Sequence, residues 1–358
     1  MNVKKRHKTI VTMVPFLVFF LMGCNDVTNS DLPDDTRKPN PWLVPVEEVL
    51  DVAGRDGIPA LTNPDLTTPA GATYLVDDDL VVGVKVRNEI RAYPHPILDW
   101  HEVINDNING TELTITYCPL TGSGVAWERA INGTRATFGV SGLVYNSNLI
   151  PYDQGTRSNW SQMKLQCVNG PLMGTLVATH PIIETTWRTW KDMYPQTRVV
   201  STNTGHARFY GVYPYGNYRT EDFLIFPIGN DDQRLPRKER VHGVIVGERT
   251  KVYRINTFSN DIEAVNDTFN GVSLVAVGSS AKNFVVTYER QPGDGTVLTF
   301  SPVQSVLPVV MVDNEGTRWD IFGKAVDGPR AGSTLKPLRS YTAYWFAWGA
   351  FFPGAEIY

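Results

Sequence analysis

The sequence predicts a β-rich α+β fold, a tandem duplication of a mostly antiparallel β unit with a few short helices. Three observations predict it. The apolar runs, such as Val81 to Val86, Leu113 to Tyr117 and Val125 to Trp127, have the length of strands. Gly 30 and Pro 24 supply many turns and leave little room for long helices. An ordered series of motifs also recurs, with an offset drifting only from 161 at Glu102/Glu263 to 158 at Gly170/Gly328. With 358 residues, 42% hydrophobic and 20% charged, the chain has enough apolar material for two cores.

In chain order, Lys4, Lys5, Arg6 and Lys8 precede an apolar stretch from Ile10 to Phe20 and the lipobox-like Leu21-Met22-Gly23-Cys24. This has the form of a lipoprotein signal peptide over residues 1–23, with Cys24 as the lipidated residue. The apolar run is too short for a spanning helix. Residues 24–44 are polar and read as a tether. Removing residues 1–23 deletes four basic residues and leaves 29 basic against 37 acidic. That balance excludes a phosphate-neutralising surface, and with it a nucleic-acid partner. The expected partners are a membrane, through the lipid, and a small molecule or envelope component. The expected location is the cell envelope, lipid-anchored, with the folded body outside the cytoplasm.

The first repeat unit is expected over 45–178, with a short helix near Val46 to Val52 and another within Pro94 to Asp106. An unduplicated connector, 179–237, holds one helix from Thr186 to Tyr194, its Trp187, Trp190 and Tyr194 forming one stripe that ends at Pro195. Tyr210 to Tyr218 reads as an aromatic surface loop. The second unit covers 238–358, and its aromatic end, Tyr344 to Phe352, is too apolar to face water. Val81 to Val86 is echoed at 241–246, Asn109-Gly110 at Asn270-Gly271, and Trp160 at Trp319.

Features in both units serve the fold, so Glu102, Asn105 and Asp106, matched at 263, 266 and 267, read as capping and turn residues. Features in one unit need another reason. His101 stands where the second unit has Ile262, on a stripe pairing Ile97 with Phe258 and Ile104 with Val265. A buried imidazole needs a hydrogen-bond partner, and the structural alternative is a satisfied core histidine. Cys118 stands against Ser279, where a strand ends and a turn begins, with Thr121 placed to donate a hydroxyl to sulfur. Its bland alternative is a small buried hydrophobe. Cys167 stands against Ala325 and reads as a packing residue, with a Cys118–Cys167 disulfide as the lesser alternative. Ser123, Ser141, Tyr145, Asn146 and Asn148 concentrate hydroxyl and amide groups in the first unit only and are the candidate substrate-binding set.

Asp56-Gly57-Ile58-Pro59-Ala60, Tyr117-Cys118-Pro119-Leu120-Thr121-Gly122-Ser123, Phe138-Gly139-Val140-Ser141-Gly142, Tyr145-Asn146-Ser147-Asn148-Leu149 and Trp160-Ser161-Gln162 together resemble the domain-of-unknown-function 3179 family. The resemblance runs from about residue 45 to 358. It implies a bacterial or archaeal, often exported protein and carries no activity. It also implies that Cys118 and the Asn-Ser-Asn loop belong to the family's hallmark.

Two principal functions follow. The first is a thiol-dependent enzyme or redox protein with Cys118 as nucleophile or redox centre, His101 as its base and Thr121 as a donor to sulfur. The alternative is a non-catalytic ligand- or partner-binding lipoprotein. A further alternative is a copper or zinc site using Cys118 and His101 with His95 or His180. No recognised motif calls for a cofactor.

Overall fold

The computed structural model describes residues 41–358. The expected signal peptide, the expected lipidation at Cys24 and the expected tether up to residue 40 lie outside the described residues. The tether's last residues are docked: Trp42 bridges to Asn169, and the Leu43 amide donates to the Val168 carbonyl at 2.8 Å. Among the described residues no helix is long and apolar enough to cross a membrane.

Alternating and β-branched residues give strands almost throughout. The first set of elements opens with a hairpin, β1 (Leu80–Val86) and β2 (Glu89–Pro94), followed by helix α1 (His95–His101). Next come a meander, β3 (Val103–Ile108), β4 (Thr111–Cys118) and β5 (Ser123–Glu128). A second meander is β6 (Phe138–Tyr145), β7 (Asn148–Asp153), β8 (Asn159–Ser161) and β9 (Gln166–Asn169). The set closes with β10 (Ile182–Thr186), helix α2 (Trp187–Met193) and β11 (Arg198–Val200).

The second set runs in the same order. Its hairpin is β12 (Arg240–Val246) and β13 (Arg249–Arg254), and a single 3-10 turn, Ile255–Thr257, stands where α1 stood. Its meanders are β14 (Glu263–Phe269), β15 (Val272–Ser279) and β16 (Phe284–Glu289), then β17 (Phe300–Pro302), β18 (Val309–Asp313), β19 (Arg318–Asp320) and β20 (Ala325–Asp327). It ends on β21 (Arg339–Tyr344), helix α3 (Trp345–Phe351) and β22 (Glu356–Ile357).

Pairing is shared as well. The strand orders β10-β1-β2-β11 and β21-β12-β13-β22 match, antiparallel except for the last strand of each, which runs parallel to its neighbour. Asn109 and Gly110 both have positive φ, as do Asn270 and Gly271, which is what a two-residue type I′ hairpin turn demands. Asn105 Nδ2 donates to the Phe138 carbonyl and Asn266 Nδ2 to the Phe300 carbonyl, each at 2.8 Å. Tyr93 donates its hydroxyl to Asp106 and Tyr253 to Asp267. The shared Asn and Asp are therefore clamps between sheets rather than caps.

Residues 179–200 do more than connect. β10, α2 and β11 complete the first set as β21, α3 and β22 complete the second, with Trp187 and Trp190 of α2 answering to Trp345 and Trp348 of α3. Each of these closing segments covers the opposite set. Tyr341, Trp345 and Trp348 pack with Trp127, Phe138 and Trp160 of the first meanders. Trp187, Trp190 and Tyr194 pack with Phe284, Met311 and Trp319 of the second. The two cores are reciprocal.

Two helix expectations change. The Pro94–Asp106 stretch is helical only to His101, because Glu102 turns left-handed (φ 56) and the alternation after it makes β3. Near Val46 there is one 3-10 turn, Val46–Glu48, followed by the short strand Leu50–Asp51.

Candidate functional site

β4 ends at Cys118 and β5 begins at Ser123, paired across a tight loop of residues 119–122. The loop is held by a buried polar network. Asn148 Nδ2 donates to Thr121 Oγ1 at 2.9 Å, to Gln162 Oε1 at 2.8 Å and to Ser123 Oγ at 3.3 Å. Ser123 donates to Gln162 Oε1 at 2.6 Å, and Gln162 Nε2 donates to Thr116 Oγ1 and the Ser123 carbonyl, both at 3.0 Å. All these side chains are fully buried. Three of the sequence's marked segments thus meet in one place, and what they build there is a rivet in the core.

The remaining candidates are also engaged internally. Ser141 donates to the Ile150 carbonyl and accepts the Leu143 amide at a bulge in β6. Gly142, in the left-handed region at φ +80, lies so close to the Gly54 backbone that any Cβ would collide with it. Asn146 and Ser147 are the turn between β6 and β7, both with positive φ. Asn146 Oδ1 accepts the Gly229 amide at 2.7 Å, and Tyr145, half-buried, meets Phe351 edge to face.

Cys118 and Cys167 are both free and buried, which removes the disulfide alternative. The Cys118 thiol faces the Ser147 carbonyl at 3.7 Å. Burial first, then the charge of Glu102, push its pKa up to about 11, against hydrogen bonds from Thr121 and the Leu149 backbone. His101 is not its partner. The imidazole is fully buried, with Nδ1 2.7 Å from the Pro59 carbonyl and Nε2 2.8 Å from the Tyr210 hydroxyl. Burial drives its pKa down to about 4. Among the described residues no three His, Cys, Asp or Glu side chains gather as a metal-binding group.

The aromatic segment around 203–238 is not a loose surface loop. It lies across the end of β4 as a strap. Tyr213 donates to the Pro119 carbonyl at 3.4 Å and Tyr218 to the Leu120 carbonyl at 2.9 Å. Tyr215 donates to Glu102 Oε1 at 3.4 Å, and Arg219 Nη2 donates to both oxygens of Asp99, at 2.6 and 2.7 Å. Glu102, which caps the C-terminal end of α1 as expected, also carries a buried carboxyl beneath the strap, and burial raises its pKa to about 7. Asp99 is raised likewise to about 7, by burial against the pull of Arg219.

Beside the strap, where both sets of elements meet it, lies a cleft of about 340 Å³ lined by His95, Tyr117, Arg219, Arg240, Asn283 and Tyr344, with Asp78, Asp79 and Lys238 also on its wall. His95 is 2% exposed and lies tilted against the Tyr117 ring, with the ring centroids 4.1 Å apart. Its Nε2 has no hydrogen-bond partner among the described residues and lies 3.9 Å from Glu184 Oε1. Burial, then the charges of Arg219 and Arg240, hold it well below the usual histidine range, hence neutral. Arg240 donates to Glu184 and to Asn283. Glu184 keeps one oxygen unpartnered and also lines a smaller cavity of about 140 Å³ with His180 and His242.

None of the sequence's substrate-binding candidates lines the larger cleft. Of the residues that do, His95 entered the sequence reading only as a metal ligand. It was findable: His95 stands where the second set has Ile255, the same kind of asymmetry that singled out His101. Arg219 and Lys238 lie in the strap, which has no counterpart, and the sequence marks neither of them.

The profile of the family described as "Protein of unknown function (DUF3179)" matches residues 55–355. No curated protein and no solved structure matches the chain.

Proposed function

We propose, for a chain that belongs to the DUF3179 family of proteins of unknown function, that it is an envelope-anchored lipoprotein whose folded body holds a small molecule in the cleft beside the strap. Cys118 is, on this reading, a structural thiol. The single observation that carries the reading is a cleft of about 340 Å³ on whose wall His95 Nε2 is buried without a partner among the described residues, and such a group costs about 1–3 kcal/mol unless something meets it. Concave sites on which polar groups converge are where small molecules are oriented, and this cleft is lined mostly by such groups.

Thiol chemistry is the weaker reading. A nucleophilic cysteine needs a thiolate and a route for its substrate. Cys118 is 1% exposed, His101 is engaged elsewhere, and burial raises the thiol's pKa. Alkylation with iodoacetamide separates the two readings: the native protein is expected to resist labelling at Cys118 and to take up reagent only with denaturant. Rapid native labelling of Cys118 would restore the thiol reading. For the cleft, Leu80→Trp places an indole into the wall, and native mass spectrometry of protein isolated from its own envelope is expected to lose a bound small molecule that the wild type carries. An identical ligand load in both would exclude the cleft. Membrane attachment rests on Cys24: Cys24→Ser is expected to shift the protein from the membrane fraction to the soluble one.

A further inference from the structure

We propose that the ligand of this cleft is a small anion, bearing a carboxylate or a phosphate, held by Arg219 and Arg240 and by the hydroxyls of Tyr117 and Tyr344. The inference rests on the cleft being the binding site, and it adds the chemical class.

The argument is a count of which polar groups are already satisfied. Around the cleft, donors are left over. Arg219 engages Asp99 through Nη2 alone, leaving Nη1 and Nε without partners among the described residues. Arg240 engages Asn283 and Glu184 through its two terminal nitrogens, leaving Nε. The Asn283 amide oxygen takes Arg240, which leaves its NH₂ group. The hydroxyls of Tyr117 and Tyr344 have no hydrogen-bond partner among the described residues. Guanidinium and phenol groups with donors left over are the arrangement that recognises carboxylate or phosphate oxygens.

The carboxylates nearby do not reverse this. Asp99 and Glu184 sit behind the two guanidinium groups and fix their orientation, so they act as positioning residues. Asp79 spends Oδ2 on the Val76 amide, and Asp78 is exposed at the rim, where solvent screens it. Lys238 is not available as an anion holder: its ammonium donates to the carbonyls of Tyr218, Glu221 and Phe223 and ties the strap together. Specificity for an anion therefore comes from the two arginines and the two tyrosines.

Arg219→Gln or Arg240→Gln would strand a buried carboxylate and risk misfolding. Tyr117→Phe and Tyr344→Phe remove hydroxyls that have no hydrogen-bond partner among the described residues, so the fold should tolerate them. The test is isothermal titration of the mature wild-type protein and these two variants, at low ionic strength, with inorganic phosphate, malonate and glucose. Phosphate or malonate is expected to bind and glucose not to, which of the two anions binds deciding between phosphate and carboxylate. Each Tyr→Phe change is expected to weaken the anion on the order of tenfold, the usual worth of a hydrogen bond to a charged group, with an unchanged urea midpoint. Binding of glucose with neither anion overturns the anion class and leaves the cleft reading standing. Anion binding that is unaltered in both variants and in Leu80→Trp overturns the assignment of that anion to the cleft. Absence of binding by both anions at millimolar concentration overturns the class, while the native mass spectrometry described above decides the cleft separately.

Discussion

Asn148 Nδ2 donates to three acceptors, on two strand ends and a connecting turn, in a space closed to water. Removing it takes one donor away from each of Thr121, Ser123 and Gln162 and leaves them only their bonds among themselves and to Thr116 and the Ser123 carbonyl. Asn148→Ala is expected to cost about 2–3 kcal/mol in urea denaturation, and Gln162→Ala a similar amount. Values within a few tenths of a kcal/mol of wild type would mean that the network is dispensable. Glu102 poses the opposite case, a buried carboxyl whose one side-chain bond among the described residues, from Tyr215, is 3.4 Å long. Its native pKa of about 7 lies above its ordinary 4.5. The native state thus binds the proton more tightly than the unfolded chain, and stability is full below about pH 4.5 and lost as pH rises through 7. Glu102→Gln removes that loss, so the variant is expected to gain roughly 2–3 kcal/mol over wild type at pH 8 and almost nothing at pH 4. An equal effect at both pH values would contradict the assignment. His101 works in the other direction: with a native pKa of about 4, its contribution falls as pH drops below its ordinary 6.5.

At the scale of elements, two strand–helix contacts repeat. Gly83 of β1 lies under the Trp190 ring and Gly243 of β12 under the Trp348 ring, and a Cβ at either position would come 2.2 Å from indole carbon. These glycines let a strand and a tryptophan approach within van der Waals distance, and no side chain fits between them. Gly83→Val is expected to destabilise by about 2–4 kcal/mol through overpacking, partly recovered by Trp190→Leu in the double variant. Strictly additive effects would show that the indole does not set the constraint. α1 is the element that differs most between the sets. It supplies His95, Asp99 and His101, whereas its counterpart, the 3-10 turn Ile255–Thr257, supplies none of them. Of these only His95 lines the cleft, whose other polar groups come from the strap and from strand ends.

At the scale of the whole molecule, the closing segment of each set covers the core of the other. Each set closes one smaller core with its own residues, but the pairing of Trp345 and Trp348 with the first meanders, and of Trp187 and Trp190 with the second, makes its larger core depend on the other set. Expressed separately, residues 41–238 and 239–358 are expected to be insoluble or unfolded, and to give native-like near-UV circular dichroism only when co-expressed. A folded, monomeric first half would contradict the reciprocal arrangement. The same geometry locates the cleft, since its wall takes His95 and Tyr117 from one set, Asn283 and Tyr344 from the other, and Arg219 from the strap between them.

The β-rich class, the Asn-Gly hairpin turns, the Asn105/Asn266 and Trp160/Trp319 correspondences and the burial of the aromatic C-terminal segment were all legible in the chain. They rest on turn chemistry and periodicity, which act over a few neighbouring residues, and they are written twice. The gathering of Thr121, Ser123, Asn148 and Gln162 was half legible, because the sequence marked the segments and left their partners open. What only tertiary structure decided is that His101 and Cys118 are satisfied apart from each other, and that the unspent donors belong to Tyr117, Arg219, Arg240 and Tyr344. Whether a polar group is spent or free depends on which distant segment packs over it, and no local preference of the chain encodes that.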